Sequence, residues 1–521
     1  MEPTSRLLAL PDELLQLVLY FLEPFDLADT AQCCRRLALQ SYDDRIWRPL
    51  VNESLPIPIS SPSPAPSFRD LYIAHHPHWF LVKNKLWYTD SGPAGKLIIA
   101  TYDASNAAIV AHSVTASRTH EIPDFHLWEL DHRVMIHNFK PEVRLHWAVP
   151  ALKIGYNSEL VNDPEKSDQY PENDADEKQR VSRYGREILM DIFKEPGIQC
   201  SFILSRKLPE VITDPNTDIW PPLRLPCLDR TRNDHDMNGQ MHRGHAPTRF
   251  SETSQSTFRV RRWADFGKPR AQSSSRVVGS LINALGLLGA PDTVRRPDVI
   301  ATCATLPLDS WRPTPEKPWQ GIWVGDYSGH GCEFLYIRQP DAAEALPLPE
   351  GLEWLQAEVD ANGSSLGQNL TGSEPRAASA ASAATAAPGT NPAEGGLADD
   401  DGQHPPSGRL EAIKLTGDPN IPRGQYTFIA PDIGSAGFLR VADEESFRGA
   451  RVVRSVGHLA GRGFVDDDYS PSQLIMISHN RLAQYWEGFG HISHFERVDI
   501  DALVYSKASK STAASASLPP S

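Results

Sequence analysis

The sequence contains one short pattern that is typical of serine hydrolases. Residues 363–367 read GSSLG and match GxSxG, the pattern around many nucleophilic serines. Such a serine works on a sharp turn that joins a strand to a helix. Here the surrounding residues are rich in Ala, Ser and Gly, which favours a coil. We therefore predict a chance match and a protein that is not an enzyme.

Potential metal ligands are densest in one polar, irregular stretch. They are Asp234, His235, Asp236, His242 and His245. A structural zinc site usually takes Cys and His at CxxC-type spacing, and the six cysteines of this chain form no such pair. A solvated loop explains the stretch as well as a metal site does. We predict no metal and no cofactor.

Residues 321–338 read GIWVGDYSGHGCEFLYIR and permit three interpretations. A phosphate-binding loop would lead into a helix and usually carry a lysine, but these glycines lead into strand-forming residues. A metal site would have only His330 and Glu333 as local ligands. A β-hairpin with a glycine-rich turn is the interpretation we favour.

Binding suits the residue types of the C-terminal half better than catalysis does. Aromatic side chains at strand spacing can line the mouth of a barrel and hold a peptide end, although they are also typical core residues. Arginines can bind a peptide carboxylate, although they are also ordinary surface charges. The candidate substrate-binding residues are Trp323, Tyr327, His330, Glu333, Arg451, Arg454, Arg462 and Trp486.

Charge and hydropathy exclude several classes of partner. The 521 residues carry a net charge of −15, which argues against nucleic acid as the main partner. No apolar run reaches the roughly 18 residues that a membrane helix needs. The scattered cysteines suggest reduced thiols. We predict a protein of the cytoplasm or nucleus that binds neither nucleic acid nor membrane.

Short strand-like runs separated by turn residues extend through most of the chain. They predict an α+β protein: three N-terminal helices, then a mainly antiparallel β-barrel-like domain over residues 68–501. Residues 53–67 are rich in Pro and Ser and predict a linker. Largely disordered insertions are predicted at 157–180 and 341–409, an amphipathic helix at 184–196 and a disordered tail at 502–521.

The N-terminal stretch LALPDELLQLVLYFLEPFDL is unusually apolar for so short a helical unit. Leu14, Leu17, Val18 and Phe21 recur at helical spacing. Three short helices cannot bury so wide an apolar face among themselves. Either the β domain or a second protein must cover it. The Pro/Ser linker favours a second protein because it separates the helices from the β domain.

Residues 6–52 resemble an F-box, from the LPDELL opening through CCRR to Trp47. In that family the apolar face binds Skp1, which connects the receptor to a cullin and a RING protein. The resemblance implies Skp1 contacts at Leu10, Pro11, Leu14, Leu15, Leu17, Val18 and Leu27.

A second resemblance involves residues 321–338, KLTGDPNIPRG at 414–424 and QLIMISHNRLAQYWEGFGHISHFERV at 473–498. These resemble the substrate-binding β-barrel of animal F-box receptors for cyclin D and C-terminally amidated proteins, and similar fungal F-box proteins. The resemblance implies the substrate-recognition subunit of a Skp1–cullin–F-box ubiquitin ligase. Two alternatives remain: a ligand-binding or hydrolase-like barrel whose F-box controls its own turnover, and a Skp1-binding protein that uses no cullin.

Overall fold

The computed structural model of this chain describes most of its residues. The described ranges are 6–92, 94–118, 125–158, 183–193, 198–209, 218–233, 245–264, 299–327, 331–369, 406–488 and 490–505.

The described N-terminal part begins with a 3-10 turn (Arg6–Ala9) and contains six α-helices up to residue 84. The helices are α1 (Asp12–Leu19), α2 (Pro24–Cys33), α3 (Arg35–Ser41), α4 (Asp44–Glu53), α5 (Phe68–His75) and α6 (Phe80–Asn84).

Four helices therefore replace the three predicted for the F-box-like segment. Pro24 occupies the first position of α2, where its missing N–H costs nothing, so it starts a helix rather than only ending one. Cys34 is fully extended, with φ −163° and ψ 163°, and this separates α2 from α3.

The segment predicted as a free linker is packed against both of its neighbours. Asn52 donates its side-chain amide to Ile59 O at 3.2 Å and accepts Ile59 N–H at 2.9 Å. Asp44 in α4 accepts Phe68 N–H of α5 at 2.8 Å. Leu55 is buried in the same apolar core that contains α1–α4 and the first sheet. The Pro/Ser composition was a misleading signal, because prolines also suit a fixed, extended segment packed on a core.

The described residues of the first half of the β domain form thirteen strands. They are β1 (Leu86–Thr89), β2 (Lys96–Asp103), β3 (Ala108–Arg118), β4 (Phe125–Leu127), β5 (Met135–His137), β6 (Pro141–Leu145), β7 (Leu152–Gly155), β8 (Ile188–Leu189), β9 (Ile198–Arg206), β10 (Ile219–Trp220), β11 (Thr231–Arg232), β12 (Thr253–Ala264) and β13 (Val299–Ala304). Nine of them form one antiparallel sheet in the order β6-β3-β2-β1-β13-β12-β9-β8, with β7 also paired to β3. β4 with β5 and β10 with β11 form two separate hairpin-like pairs.

The second half forms a closed antiparallel barrel. Its strands are β14 (Gly321–Asp326), β15 (Cys332–Arg338), β16 (Leu410–Lys414), β17 (Tyr426–Ala430), β18 (Phe438–Val441), β19 (Arg451–Gly461), β20 (Val465–Ser478), β21 (Arg481–Trp486) and β22 (His491–Arg497). They pair in the order β17-β16-β15-β14-β22-β21-β20-β19, and β17 returns to β19, which closes eight strands; β18 lies outside the circle on β19. The predicted mainly antiparallel barrel is confirmed, but the first sheet is a separate layer.

One prediction of local structure was wrong, and one predicted insertion contains a helix in its described part. Residues 183–189 form a 3-10 turn (Arg183–Gly185) and the short strand β8, not an amphipathic helix, because Ile188 and Leu189 pair with β9. The insertion at 341–409 contains a helix, α8 (Glu353–Asn369), after the short α7 (Leu308–Trp311). Leu352 and Leu355 bury in the core between the sheets and hold that helix in place. The insertion at 157–180 lies almost wholly outside the described residues.

The first sheet and the barrel share a core. Tyr88 and Leu97 of the sheet pack with Val324 and Phe334 from the outer surface of the barrel. This contact fixes the barrel relative to the sheet on which the N-terminal helices pack. Among the described residues, no helix has the length and apolar character needed to cross a membrane.

Candidate functional site

Helix α1 has one buried face and one exposed apolar face. Leu15 and Leu19 are fully buried, and they are four residues apart, so they lie on one side. Leu14, Leu17 and Val18 are 49%, 55% and 43% exposed. A short helix normally turns its large apolar residues inward, so this outward set is unusual for a helix that packs only on its own chain.

Further large apolar side chains are exposed at the end of α1 and on α2 and α3. Tyr20, Phe21, Phe25 and Leu39 are 51%, 78%, 52% and 73% exposed. The predicted Skp1 contacts do not include these four residues, although Phe21 belongs to the same helical repeat as Leu14 and Leu17. We call the exposed residues of both groups the α1 surface.

Arg36 of α3 fixes the chain that leads into α1. Its guanidinium donates to Leu10 O at 2.7 Å, to Leu8 O, and to Asp12 Oδ1 at 2.7 Å. The arginine of the CCRR stretch therefore holds the start of the α1 surface in a fixed orientation.

The barrel interior changes from apolar to polar along its axis. At one end, inward side chains such as Trp323, Leu335 and Phe428 fill the barrel completely. Towards the other end the inward positions are polar: Ser455 and Ser472 hydroxyls lie 2.8 Å apart, and Gln484 Nε2 donates to Ser472 at 3.0 Å. Residues on one strand face inward at alternate positions, so a change in residue type along the strand creates the two layers.

A cavity of about 490 Å³ opens above the polar layer. Its walls include Tyr327, Thr427, Trp486, His491 and Ser493. Trp486 Nε1 donates to Ser493 Oγ at 3.1 Å, and Tyr327 OH donates to Thr427 Oγ1 at 3.2 Å. A cavity of this volume with aromatic walls and a few oriented polar groups is typical of a binding site.

A buried ion cluster lies beside this cavity. Lys414 Nζ is 2.6 Å from Glu333 Oε2, is paired with Asp418, and lies 4.7 Å above the Tyr327 ring. Burial raises the pKa of Glu333 to about 7 despite the adjacent lysine. Burial by itself would raise the pKa of Asp418. The contacts of this carboxylate with Lys414 and with two backbone N–H groups have the larger effect, so its pKa is lowered.

Asp418 links the ion cluster to the rim of the cavity. Its Oδ1 accepts the N–H groups of Asn420 at 2.6 Å and Ile421 at 2.7 Å, which shapes the turn that carries both residues. Asn420 Nδ2 then donates to Ala460 O near the end of β19 at 2.9 Å. Asp418, Asn420, Ile421 and Ala460 all line the cavity. The hydrogen bonds of the Asp418 carboxylate therefore organise this part of the rim.

His458 and Gly457 shape the wall on β19. Nδ1 of His458 lies 3.0 Å from Tyr426 O, and its ring stacks on Tyr469 at 4.4 Å. Burial lowers the pKa of His458, so the imidazole is neutral near pH 7. A Cβ on Gly457 would lie 2.1 Å from the Trp486 ring, so only glycine lets Trp486 stand in the wall.

Comparison with known protein families assigns both ends of the chain. Residues 7–53 match the family model described as F-box-like, and residues 303–502 match the model described as the cyclin D1 binding domain. The chain is therefore similar to F-box-like domains at its N-terminus and to cyclin D1 binding domains in its C-terminal part, and we use these two names for the matched residues only. No curated protein matches the chain.

The F-box-like domain places its seven predicted Skp1 contacts in two groups. Pro11, Leu14, Leu17 and Val18 are exposed and Leu10 is half-buried. The other two, Leu15 and Leu27, are fully buried, because helical spacing turns them into the core. They can support the α1 surface but cannot touch a partner in this conformation.

The cyclin D1 binding domain brings only some of the predicted binding residues to the cavity. Tyr327 and Trp486 line it. Glu333 is buried beneath it as the partner of Lys414. Trp323 is 0% exposed in the apolar end of the barrel, so it is a core residue. His330 lies outside the described residues.

None of the three predicted arginines lines the cavity. Arg451 donates to the carbonyls of Ile433 at 2.9 Å and Gly434 at 2.6 Å and thereby ties β19 to a loop. Arg454 is paired with Glu358 of α8. Arg462 is exposed in the β19–β20 turn.

Sequence reasoning missed Lys414, Asp418, Asn420 and His458. The available signal was the pattern LEAIKLTGDPN, in which a lysine occupies an inward position at the end of an apolar strand. Its significance depends on Glu333, which lies 81 residues away in sequence. No local pattern predicts that pairing.

The structure tests the serine-hydrolase pattern but not the cluster of potential metal ligands. GSSLG lies within the length of α8 and not on a strand–turn–helix elbow. Of the five clustered ligand-type residues only His245 is described, and it is buried. The others lie outside the described residues.

The raised pKa of Glu333 predicts a specific dependence of stability on pH. The folded state holds this proton more tightly than the unfolded chain, whose pKa is 4.5. Its stabilising contribution is therefore fully present below about pH 4.5 and is lost as pH rises through about 7. We expect wild type to lose about 2–3 kcal/mol of unfolding free energy relative to Glu333→Gln between about pH 5 and about pH 8. Urea unfolding at several pH values measures this, and parallel curves would contradict it.

Proposed function

We propose that this protein is the substrate-recognition subunit of a Skp1–cullin–F-box ubiquitin ligase. The observation that carries the proposal is the α1 surface: a row of large apolar side chains left exposed on a domain whose other face is fully packed. The F-box-like domain would bind Skp1 through Pro11, Leu14, Leu17 and Val18. Leu15 and Leu27 would hold those residues in place.

The cavity of the cyclin D1 binding domain would bind a short segment of the substrate. The charge of Lys414 is compensated by Glu333 and Asp418, so the cavity holds no excess positive charge for a phosphate or an acidic peptide. Trp486 and Tyr327 offer aromatic surface, and Thr427 and Ser493 offer hydroxyls. These groups suit an uncharged peptide segment that can form hydrogen bonds. The name of the matched family makes a D-type cyclin the first substrate to test.

The mechanism requires no catalytic residue in this chain. Binding substrate and Skp1 at the same time raises the effective concentration of substrate lysines near a ubiquitin-charged enzyme. The core shared by the helices, the first sheet and the barrel would keep the two binding sites at a fixed separation. We propose that this takes place in the cytoplasm, the nucleus or both.

A cavity-filling variant tests the proposal. Ala460 lines the rim, so Ala460→Trp would occupy the cavity without removing any core side chain. In cells with the proteasome inhibited, we expect wild type to co-purify Skp1, a cullin and ubiquitinated protein. The variant should keep Skp1 and the cullin but lose most of the ubiquitinated protein.

Leu223→Trp serves as the matched control, because Leu223 is 70% exposed on a loop outside the cavity. Skp1 without any cullin would instead support a Skp1-binding protein that acts outside a ligase. An unchanged amount of ubiquitinated protein with Ala460→Trp would reject the cavity as the substrate site.

A further inference from the structure

The hairpin of β4 and β5 carries an exposed apolar face. Phe125, Leu127 and Met135 are 55%, 58% and 55% exposed. Leu127 is directly opposite Met135, and Phe125 is two residues along the same strand, so all three side chains lie on one face. We call these three residues the hairpin platform.

The other face of the hairpin is anchored on the outside of the barrel. Trp128, Val134 and Ile136 are buried, and the Trp128 ring lies 4.8 Å from the ring of Tyr485. Tyr485 OH also donates to Asp131 at 2.8 Å. The platform is therefore a fixed surface, and its exposed residues are not part of a loosely attached loop.

The hairpin that carries the platform borders the cavity wall. Gly490 lines the cavity, and a Cβ at this position would lie 3.5 Å from Arg133 Cβ of the hairpin. His137 at the end of β5 packs on His494 of β22, with ring centroids 5.2 Å apart, and His491 of the same strand lines the cavity. The ring of His137 contacts that of Phe125, with centroids 6.1 Å apart. A chain that leaves the cavity on this side meets the platform next.

We propose that the hairpin platform binds an extended apolar stretch of the same substrate polypeptide whose neighbouring residues occupy the cavity. This inference rests on the proposed function of the cavity. A cavity of about 490 Å³ holds only a few residues, so the remainder of a protein substrate must cross the rim. An extended segment with apolar residues at alternate positions would match the alternate exposed residues of the platform.

The size of the platform favours a peptide over a second copy of this chain. Three half-exposed side chains offer on the order of 300 Å². A stable dimer needs about 800 Å² from each partner. The platform alone falls short of a dimer interface, whereas it adds usefully to the contact area of a peptide already held in the cavity.

Selection from a displayed library of random 14-residue peptides tests this inference on the full chain in complex with Skp1. We expect wild type to enrich peptides with alternating apolar residues next to the part that enters the cavity. Leu127→Ser/Met135→Ser should weaken the selected peptides about tenfold, and Leu223→Ser/Leu228→Ser, at two equally exposed leucines, should leave affinity unchanged. Peptides in which alanine replaces the apolar residues should bind the wild-type protein more weakly than the selected peptides do. The same replacement should cause little further loss of affinity for the Leu127→Ser/Met135→Ser variant.

The outcomes separate the platform from the cavity. If Ala460→Trp weakens binding of the selected peptides and Leu127→Ser/Met135→Ser does not, the proposed role of the platform is wrong and that of the cavity is supported. If only Leu127→Ser/Met135→Ser weakens binding, the platform is supported as a peptide-binding surface and the cavity is rejected as the substrate site. Failure to select any peptide would overturn both. A dimer in sedimentation that the platform variant converts to monomer would assign the surface to self-association and overturn the proposal.

Discussion

Leu14→Arg together with Val18→Arg is expected to weaken Skp1 binding by about 100-fold or more while the F-box-like domain stays folded. The two residues are four apart on the exposed face of α1, at 49% and 43% exposure. Two arginines there stay solvated in the free chain but would have to be buried without partners in the complex. Such a cost of several kcal/mol corresponds to at least two orders of magnitude in affinity.

Binding of purified Skp1 by titration calorimetry measures the effect, and circular dichroism confirms the fold. Leu223→Arg with Leu228→Arg is the matched control, because those leucines are exposed but lie far along the chain in a loop of the β domain. An unchanged affinity of the Leu14→Arg/Val18→Arg variant for Skp1 would show that Skp1 binds through another surface.

Leu15→Arg is unsuitable for this test. Leu15 is 0% exposed and packs with Leu19 and Leu27 in the core of the domain. A buried, unpaired arginine would unfold the helices, and a loss of Skp1 binding would then report only the unfolding.

Lys414→Met is expected to lower the free energy of unfolding by about 3–5 kcal/mol. The lysine side chain is 1% exposed and bonds to two carboxylates, Glu333 and Asp418, that are themselves buried. Removing the cation leaves two acidic groups facing each other without compensation. The double variant Lys414→Met/Glu333→Gln should recover a large part of the lost unfolding free energy, because it removes one positive and one negative charge together.

Urea unfolding of the single and double variants measures this coupling. Lys96→Met, at an exposed position of β2, is the control for replacing a strand lysine. Equal losses in the single and double variants would mean that the ion pair does not contribute as the geometry indicates.

The F-box-like helices and the strands of the barrel follow from local features of the sequence. The spacing of Leu14, Leu17 and Val18 predicts one apolar face, and short runs of β-branched residues predict the strands of the barrel. These features depend on neighbours within a turn of helix or along one strand. Each is therefore readable without knowledge of the fold.

Local pattern failed where contacts between distant residues decide the conformation. Residues 188 and 189 read as helix but pair with β9. The Pro/Ser segment reads as a free linker but packs between α4 and α5. In each case tertiary burial outweighed a weak local preference.

By itself, the sequence determined the two domain types and the existence of an unpaired apolar surface on α1. Only the tertiary structure decided which residues stand in the cavity. In the fold, Trp323 is buried in the barrel, the three predicted arginines lie outside the cavity, and Lys414 is paired with Glu333 of another strand. The physical reason is that closing a barrel converts alternating residues on eight strands into one interior, and the neighbours within that interior are set by strand register rather than by separation in sequence.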